Sequence, residues 1–321
     1  ATPGATLAAR SRADLAAHRW SESPARVFGT QALPPFGAGS MGGYWTLDEI
    51  KLKLDQLVAS DTRGLVADQI DTLGYSIQGR PIWGLRLGAA VSGPDTRPVA
   101  FYNALTHARE PEGMQVVFYF VDDILARYGG DPWVTSLLDQ RVLYIVPVVN
   151  PDGYQININT YLSSGGATFG LWRKNARDND ANSVINGLDG VDLNRNFGYQ
   201  WGHDNSGSSP TPSAETYRGP AAFSEIETRV QRDALITLHP RTGLSFHTYS
   251  DLWLHPWGYQ VTATPDSNSF YEWDDEASTG LGYSAGQSTR VLYEVNGEFN
   301  DWCYGETVLK PRLFSWTPEM G

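Results

Sequence analysis

The chain has 321 residues, 41% hydrophobic and 19% charged, a balance that supplies a sizeable core and excludes wholesale disorder, a collagen-like rod or a coiled coil. Thirty-six acidic against 24 basic residues give a net charge of −12, so neither nucleic acid nor an anionic membrane surface is expected as a partner. Apolar runs such as Val142–Val149 are too short to span a bilayer, and the single cysteine, Cys303, excludes an internal disulfide framework or a Cys₄ zinc site.

Residues 1–43 are rich in Ala, Gly, Pro and Ser, with an amphipathic turn at Asp14–Trp20, and read as a leader or extended arm ending near Gly43. The start, Ala1-Thr2-Pro3-Gly4, reads as a mature end left after a signal or pro-segment was removed, so a secreted or periplasmic protein is expected. Thr46 then opens a helix, with Glu49 at the capping-box position and Ile50, Leu54 and Leu57 at helical spacing. Strands are predicted at Ile82–Leu87 and Pro98–Leu105, and an apolar helix at Gly113–Tyr128. Arg141–Val149 lacks alternation and predicts a strand buried on both faces. Val149–Tyr217, rich in Asn, Gly and Ser, predicts a long irregular centre of functional character. A helix over Phe223–Leu238 follows, then short strands at Leu244–Phe246 and Asp251–Leu254, a helix at Ser269–Gly280, and late strands at Arg290–Val295 and Leu313–Trp316. Strands alternating with helices predict an α/β sheet covered on both sides.

His107-Ala108-Arg109-Glu110 falls where a predicted strand stops and a helix starts, the carboxyl end of a strand at which open α/β sheets bind ligands. Imidazole nitrogen and carboxylate oxygen are ordinary zinc ligands, and a catalytic site takes three protein ligands while leaving room for water. On its own the tetrapeptide reads more economically as a surface histidine beside a salt-bridging glutamate.

Further motifs change that balance: Pro147-Val-Val-Asn150-Pro-Asp-Gly-Tyr154, Trp172-Arg173-Lys174-Asn175, Gly190-Val-Asp192-Leu-Asn194-Arg195-Asn-Phe197, Glu215-Thr-Tyr217-Arg-Gly-Pro220, Phe246-His247-Thr-Tyr249, Gly297-Glu-Phe-Asn-Asp301-Trp302 and Phe314-Ser-Trp-Thr-Pro-Glu319. In this order, and over residues 44–321, they resemble the M14 zinc carboxypeptidases. The resemblance implies one catalytic domain, a mixed, mostly parallel twisted β-sheet with helices on both faces. It implies a zinc-dependent peptidase that removes C-terminal residues from peptides and proteins, acting as a monomer.

The resemblance also implies roles. His107, Glu110 and His247 match the zinc ligands, and Asp192 the carboxylate that receives the spare ring N–H of the first histidine. Glu319 matches the general base and Arg173 the group that stabilises the oxyanion. Asn194 and Arg195 match the clamp on the substrate's terminal carboxylate, Tyr293 the tyrosine that closes over substrate, and Arg109 a hold on the upstream peptide. Asn300 takes the position at the base of the side-chain pocket, with Gly258 at another lining position and Glu294 and Glu298 nearby, and broad or neutral specificity is expected. Family members continue beyond the catalytic glutamate into a closing helix, whereas the sequence stops at Gly321.

Asp178-Asn-Asp180-Ala-Asn182 has the spacing that begins a Ca²⁺ loop but lacks Gly at the sixth position and has Asp189 at the twelfth; a solvated acidic loop is the favoured reading. Cys303 is expected to pack beside Trp302 without a catalytic role. Two competing functions remain: an M14-type peptidase acting on cell-wall (peptidoglycan) peptides, and a binding module without activity. The second is disfavoured because every ligand and the base are present.

Overall fold

The computed structural model describes residues 33–321. The amphipathic turn expected at Asp14–Trp20 therefore lies outside the described residues. Within 33–43, Met41 is buried, Phe36 packs against Trp45 at 4.7 Å, and Trp45 Nε1 donates to the Pro34 carbonyl at 3.0 Å.

Eight strands form one sheet: β1 (Asp71–Tyr75), β2 (Pro81–Leu87), β3 (Val99–Ala104), β4 (Val142–Val146), β5 (Thr242–Thr248), β6 (Leu252–His255), β7 (Ser284–Gln287) and β8 (Phe314–Met320). Their order is β1-β2-β4-β3-β5-β8-β6-β7. The central β4, β3, β5 and β8 run parallel, β1 and β2 extend one side antiparallel, and the parallel pair β6–β7 joins β8 antiparallel. The sheet is mixed, as expected.

Helix α1 (Leu47–Ser60) starts with the anticipated capping box: Thr46 and Glu49 each bond the other's backbone N–H, at 3.4 and 2.8 Å. It packs with α2 (Pro111–Arg127), α3 (Pro132–Gln140) and α4 (Pro151–Ser163) on one sheet face, against Leu85, Leu87, Leu143 and Ile145. The other face carries Ile82, Phe101, Tyr144 and Val146, covered by α5 (Ile226–Leu238) and, past α6 (Ser267–Leu281) and the short α7 (Ser288–Val291), by α8 (Phe299–Gly305). Successive β4 side chains enter opposite cores, and all five are buried. Cys303 lies in the second core with Trp302, its thiol pushed up to about 12 by burial.

Two sequence expectations are corrected. Residues 151–163 of the supposedly irregular centre form α4, whose buried face is partly polar: Asn157 exchanges two 2.8 Å hydrogen bonds with the Trp172 backbone, and Asp152 accepts from Ser76, Gln78 and Arg80. Arg290–Val295 is no strand. Its first two residues close α7, and the chain then runs irregularly past the sheet's end.

Candidate active site

Three neighbouring parallel strands bring the chemistry together at their carboxyl ends. His107 and Glu110 lie in the turn between β3 and α2, His247 lies near the end of β5, and Glu319 is its register partner on β8. Close approach of α2 to β5 depends on Gly113, where a Cβ would stand 2.9 Å from Phe246 Cβ. Asp192 caps a 3₁₀ turn, Leu193–Arg195, its Oδ1 accepting from the Asn194 N–H at 2.9 Å. Asn150 caps α4 and also donates to the Lys174 carbonyl at 3.0 Å, tying the Arg173 segment to the same end of the sheet.

His107 and His247 face each other through Nδ1 at 3.0 Å, and Glu110 places Oε1 2.9 Å from the first ring and Oε2 2.9 Å from the second. Each Nε2 is already engaged, His107 with Asp192 Oδ1 and His247 with Ser245 Oγ, both at 3.2 Å. With the ring protons spent there, the two Nδ1 lone pairs and the carboxylate are three electron-rich centres confronting one another. A cation at their centre relieves that repulsion. The N···N separation is close to the ~3.3 Å edge of a tetrahedral site with Zn–N bonds of about 2.0 Å, and an N,N,O donor set suits zinc. The three residues, all buried, thus form a site that can hold the ion. Burial opposes the charged form of Glu110, yet the two imidazoles hold it well below the usual carboxylate range.

Arg173 is buried, and Asp192 Oδ2 accepts from its Nε and Nη2 at 3.0 and 2.9 Å. Its Nη1 makes no hydrogen bond among the described residues and stands 3.9 Å from Glu110 Oε1. Asp192 is fully buried; despite that burial, Arg173, Arg195 and His107 keep its carboxyl well below the usual range. Arg195 donates from Nε to the Gly207 carbonyl and from Nη1 to the Asn194 carbonyl, both at 2.9 Å, which leaves Nη2 without a bond among the described residues. Asn194 Oδ1 accepts from the Phe299 N–H at 3.0 Å, turning the amide's donor end to the cleft. That loop passes close because Gly297, at φ 70, carries no Cβ to meet the Arg195 carbonyl 2.5 Å away.

His107, Glu110, Arg173, Asn194, Arg195 and Glu319 line one cleft of about 580 Å³, together with Arg109, Leu171, Tyr249, Tyr293, Glu298 and Thr317. Burial pushes Glu319 up to about 7, in spite of His247 beside it. Tyr293 is half exposed, and Arg109, at the rim, donates to Glu215 Oε2 at 3.1 Å. Asn300 is buried behind the wall, where its Nδ2 donates to Thr317 Oγ1 at 2.9 Å, so Thr317 is the group presented to the cleft. Glu298, flanked by Gly258 and Asp301, lines the cleft directly, and burial and Asp301 push its carboxyl well above the usual range. The sequence had placed Glu298 beside the pocket, together with Glu294; of the two, Glu298 is the one that lines the cleft. Ser245 was not anticipated, although two residues before His247 on a strand means the same face. In the acidic loop, Asp178, Asp180 and Asp189 cluster, with Asp178 accepting from the Ser183 N–H and Asp189 from those of Asn179 and Asn186, at 2.7 to 3.0 Å.

The zinc carboxypeptidase family model matches residues 66–321, and the chain belongs to that family of metal-dependent peptidases. Carboxypeptidase B of Astacus astacus is 32% identical over 281 residues, covering 83% of this chain and 84% of its own length. Carboxypeptidase A2 of Rattus norvegicus is 32% identical over 269 residues, covering 81% of this chain, which spans only 59% of that relative. Among solved structures, thrombin-activatable fibrinolysis inhibitor superposes with a TM-score of 0.72 at 25% identity, over 90% of this chain and 69% of the other. Carboxypeptidase A of Helicoverpa armigera shares the fold, with a TM-score of 0.72 at 23% identity over 98% and 70%. No helix among the described residues is long and apolar enough to cross a membrane.

Proposed function

We propose that this chain is a zinc metallocarboxypeptidase that hydrolyses the C-terminal peptide bond of peptides and proteins. One observation carries the reading: a buried guanidinium, Arg195, with a donor left unbonded, opens into the same cleft as His107, Glu110 and Glu319. A cation at that depth favours an anionic partner, and the substrate's terminal carboxylate supplies one, with Asn194 donating alongside.

His107, Glu110 and His247 hold the metal. When bound, zinc polarises the scissile carbonyl and acidifies water. Glu319 takes a proton from the attacking water as its oxygen bonds to the carbonyl carbon, and passes that proton to the leaving nitrogen as the C–N bond breaks. Without the metal, burial raises this carboxyl to about 7; a bound cation draws it back down toward the base form that accepts the proton. Arg173 donates from Nη1 to the oxygen on which charge develops, while Asp192 fixes both Arg173 and the His107 tautomer. Tyr293 closes over the substrate and Arg109 holds the peptide upstream. Glu298, whose carboxyl burial and Asp301 push above the usual range, and Thr317, backed by Asn300, make a polar wall, which supports broad or neutral specificity.

Release of single C-terminal residues from a panel of blocked peptides, run beside purified cell-wall fragments, tests this. Turnover of the free peptides supports the proposal; cleavage of the wall fragments alone transfers the site to peptidoglycan peptides. Export and a monomeric state belong to the same proposal, tested by culture fractionation and light scattering.

A further inference from the structure

Behind the metal site, a row of uncharged polar side chains crosses the face of the sheet that α5 covers. Ser245 Oγ lies 3.2 Å from His247 Nε2 and 2.8 Å from Asn103 Oδ1, and Asn103 Nδ2 lies 2.9 Å from Gln231 Oε1. Ser245 and Asn103 are register partners on β5 and β3, Gln231 projects from α5, and all three are buried to within 1% of full.

The direction of every bond is forced. A metal ligand needs its Nδ1 unprotonated, so His247 carries its proton on Nε2 and donates to Ser245. The serine hydroxyl, having accepted, sends its own proton to Asn103 Oδ1. That fixes the Asn103 amide, whose Nδ2 then donates to Gln231 Oε1. Donors therefore run head to tail away from the metal, an arrangement in which successive bonds polarise one another. One turn back along α5, Glu227 carries a buried acceptor, Oε1, and Gln231 a buried donor, Nε2, neither with a partner among the described residues.

We propose that Ser245, Asn103 and Gln231 form a directional hydrogen-bond relay that locks the Nε2-protonated tautomer of His247 and thereby sets the affinity of the site for its metal. They are positioning residues: none touches the cleft. The inference rests on His247 being a ligand, as proposed above. It differs from the Asp192 contact to His107 in being uncharged and in reaching three side chains deep.

The test is the zinc dissociation constant, measured by chelator competition on full-length variants, beside thermal melts of the same proteins held metal-free. Ser245→Ala removes the acceptor and should weaken zinc binding by about 10- to 100-fold. Gln231→Met breaks the relay two side chains away from the ligand and should weaken binding severalfold, while Gln231→Glu, which keeps the acceptor, should bind within about twofold of wild type. A purely structural role would lower the melting temperatures and leave the zinc constant of the folded protein unchanged, and that result overturns the relay. Should Ser245→Ala fail to fold, the Met and Glu variants at 231 decide by the same criterion. His247→Ala separates the two failures. If it loses zinc while the relay variants bind normally, only the relay is wrong; if it keeps stoichiometric zinc, the ligand assignment fails and the relay with it.

Discussion

Asp192→Asn exposes how much rests on one buried carboxylate. Asp192 accepts four hydrogen bonds, from His107 and the Asn194 N–H on Oδ1 and from two nitrogens of Arg173 on Oδ2, with Arg195 Nη1 3.8 Å away. An asparagine of the same shape keeps one acceptor oxygen. Its amide nitrogen must face either the Arg173 guanidinium or the two N–H groups of the other side, and the negative charge is gone in both cases. Breaking a buried ion pair from one side costs about 3–5 kcal/mol, because the remaining charge stays buried without compensation. At about 1.5–2 °C per kcal/mol for a domain of this size, the metal-free protein should melt roughly 5–10 °C lower. Zinc affinity should also fall about 10- to 100-fold as the His107 ring loses its anchor. Calorimetry of the chelated protein and chelator competition read the two effects separately. A melting temperature within a degree of wild type, with unchanged zinc affinity, would refute this account of Asp192.

Three further outcomes are expected. Glu319→Gln should bind zinc and peptide normally yet lose most of kcat, since an amide cannot take the water's proton; near-normal kcat would remove Glu319 from the mechanism. Glu227, buried on α5, has its carboxyl pushed up to about 7 by that burial, against a reference of 4.5. The native state thus holds a proton that the unfolded state releases between those values, so stability should fall as pH rises from about 4.5 to 7, by on the order of 3 kcal/mol. Glu227→Gln should reduce that slope in denaturant titrations of the chelated protein, leaving the parallel contributions of Asp301 and Glu319, both raised to about 7, and of Glu298, also raised; an unchanged slope contradicts the assignment.

Legibility from sequence followed the physics of each segment. The α1 start was readable because a capping box is a local device in which both partners lie within four residues. β4 was readable because burial on both faces leaves a run without alternation. Helix α4 escaped because its buried positions include Asp152 and Asn157, whose partners come from distant chain segments, so no apolar stripe marks it. Arg290–Val295 misled because Val291, Leu292, Tyr293 and Val295 favour a strand only where a neighbouring strand is available. In the site, the pairing of His107 with Glu110 is local, and the motifs of the family carried the distant groups. The double engagement of Asp192, the retreat of Asn300 behind Thr317, and the row Ser245–Asn103–Gln231 depend on how distant loops, helices and strands meet, which the sequence order does not reveal.

Arg195 and Asn194 are proposed above to read a free C-terminal carboxylate. The most direct measurement compares kcat/KM for one peptide presented as the free acid and as the C-terminal amide. Amidation removes the charge and one acceptor oxygen; a charge-assisted bond contributes about 1.5–3 kcal/mol, and a buried cation left unpaired costs more. The acid should therefore be cleaved on the order of 10²-fold more efficiently, and in Arg195→Ala the gap should shrink. Equal cleavage of acid and amide by the unaltered enzyme would contradict the carboxypeptidase reading and leave an endopeptidase or amidase on the same fold.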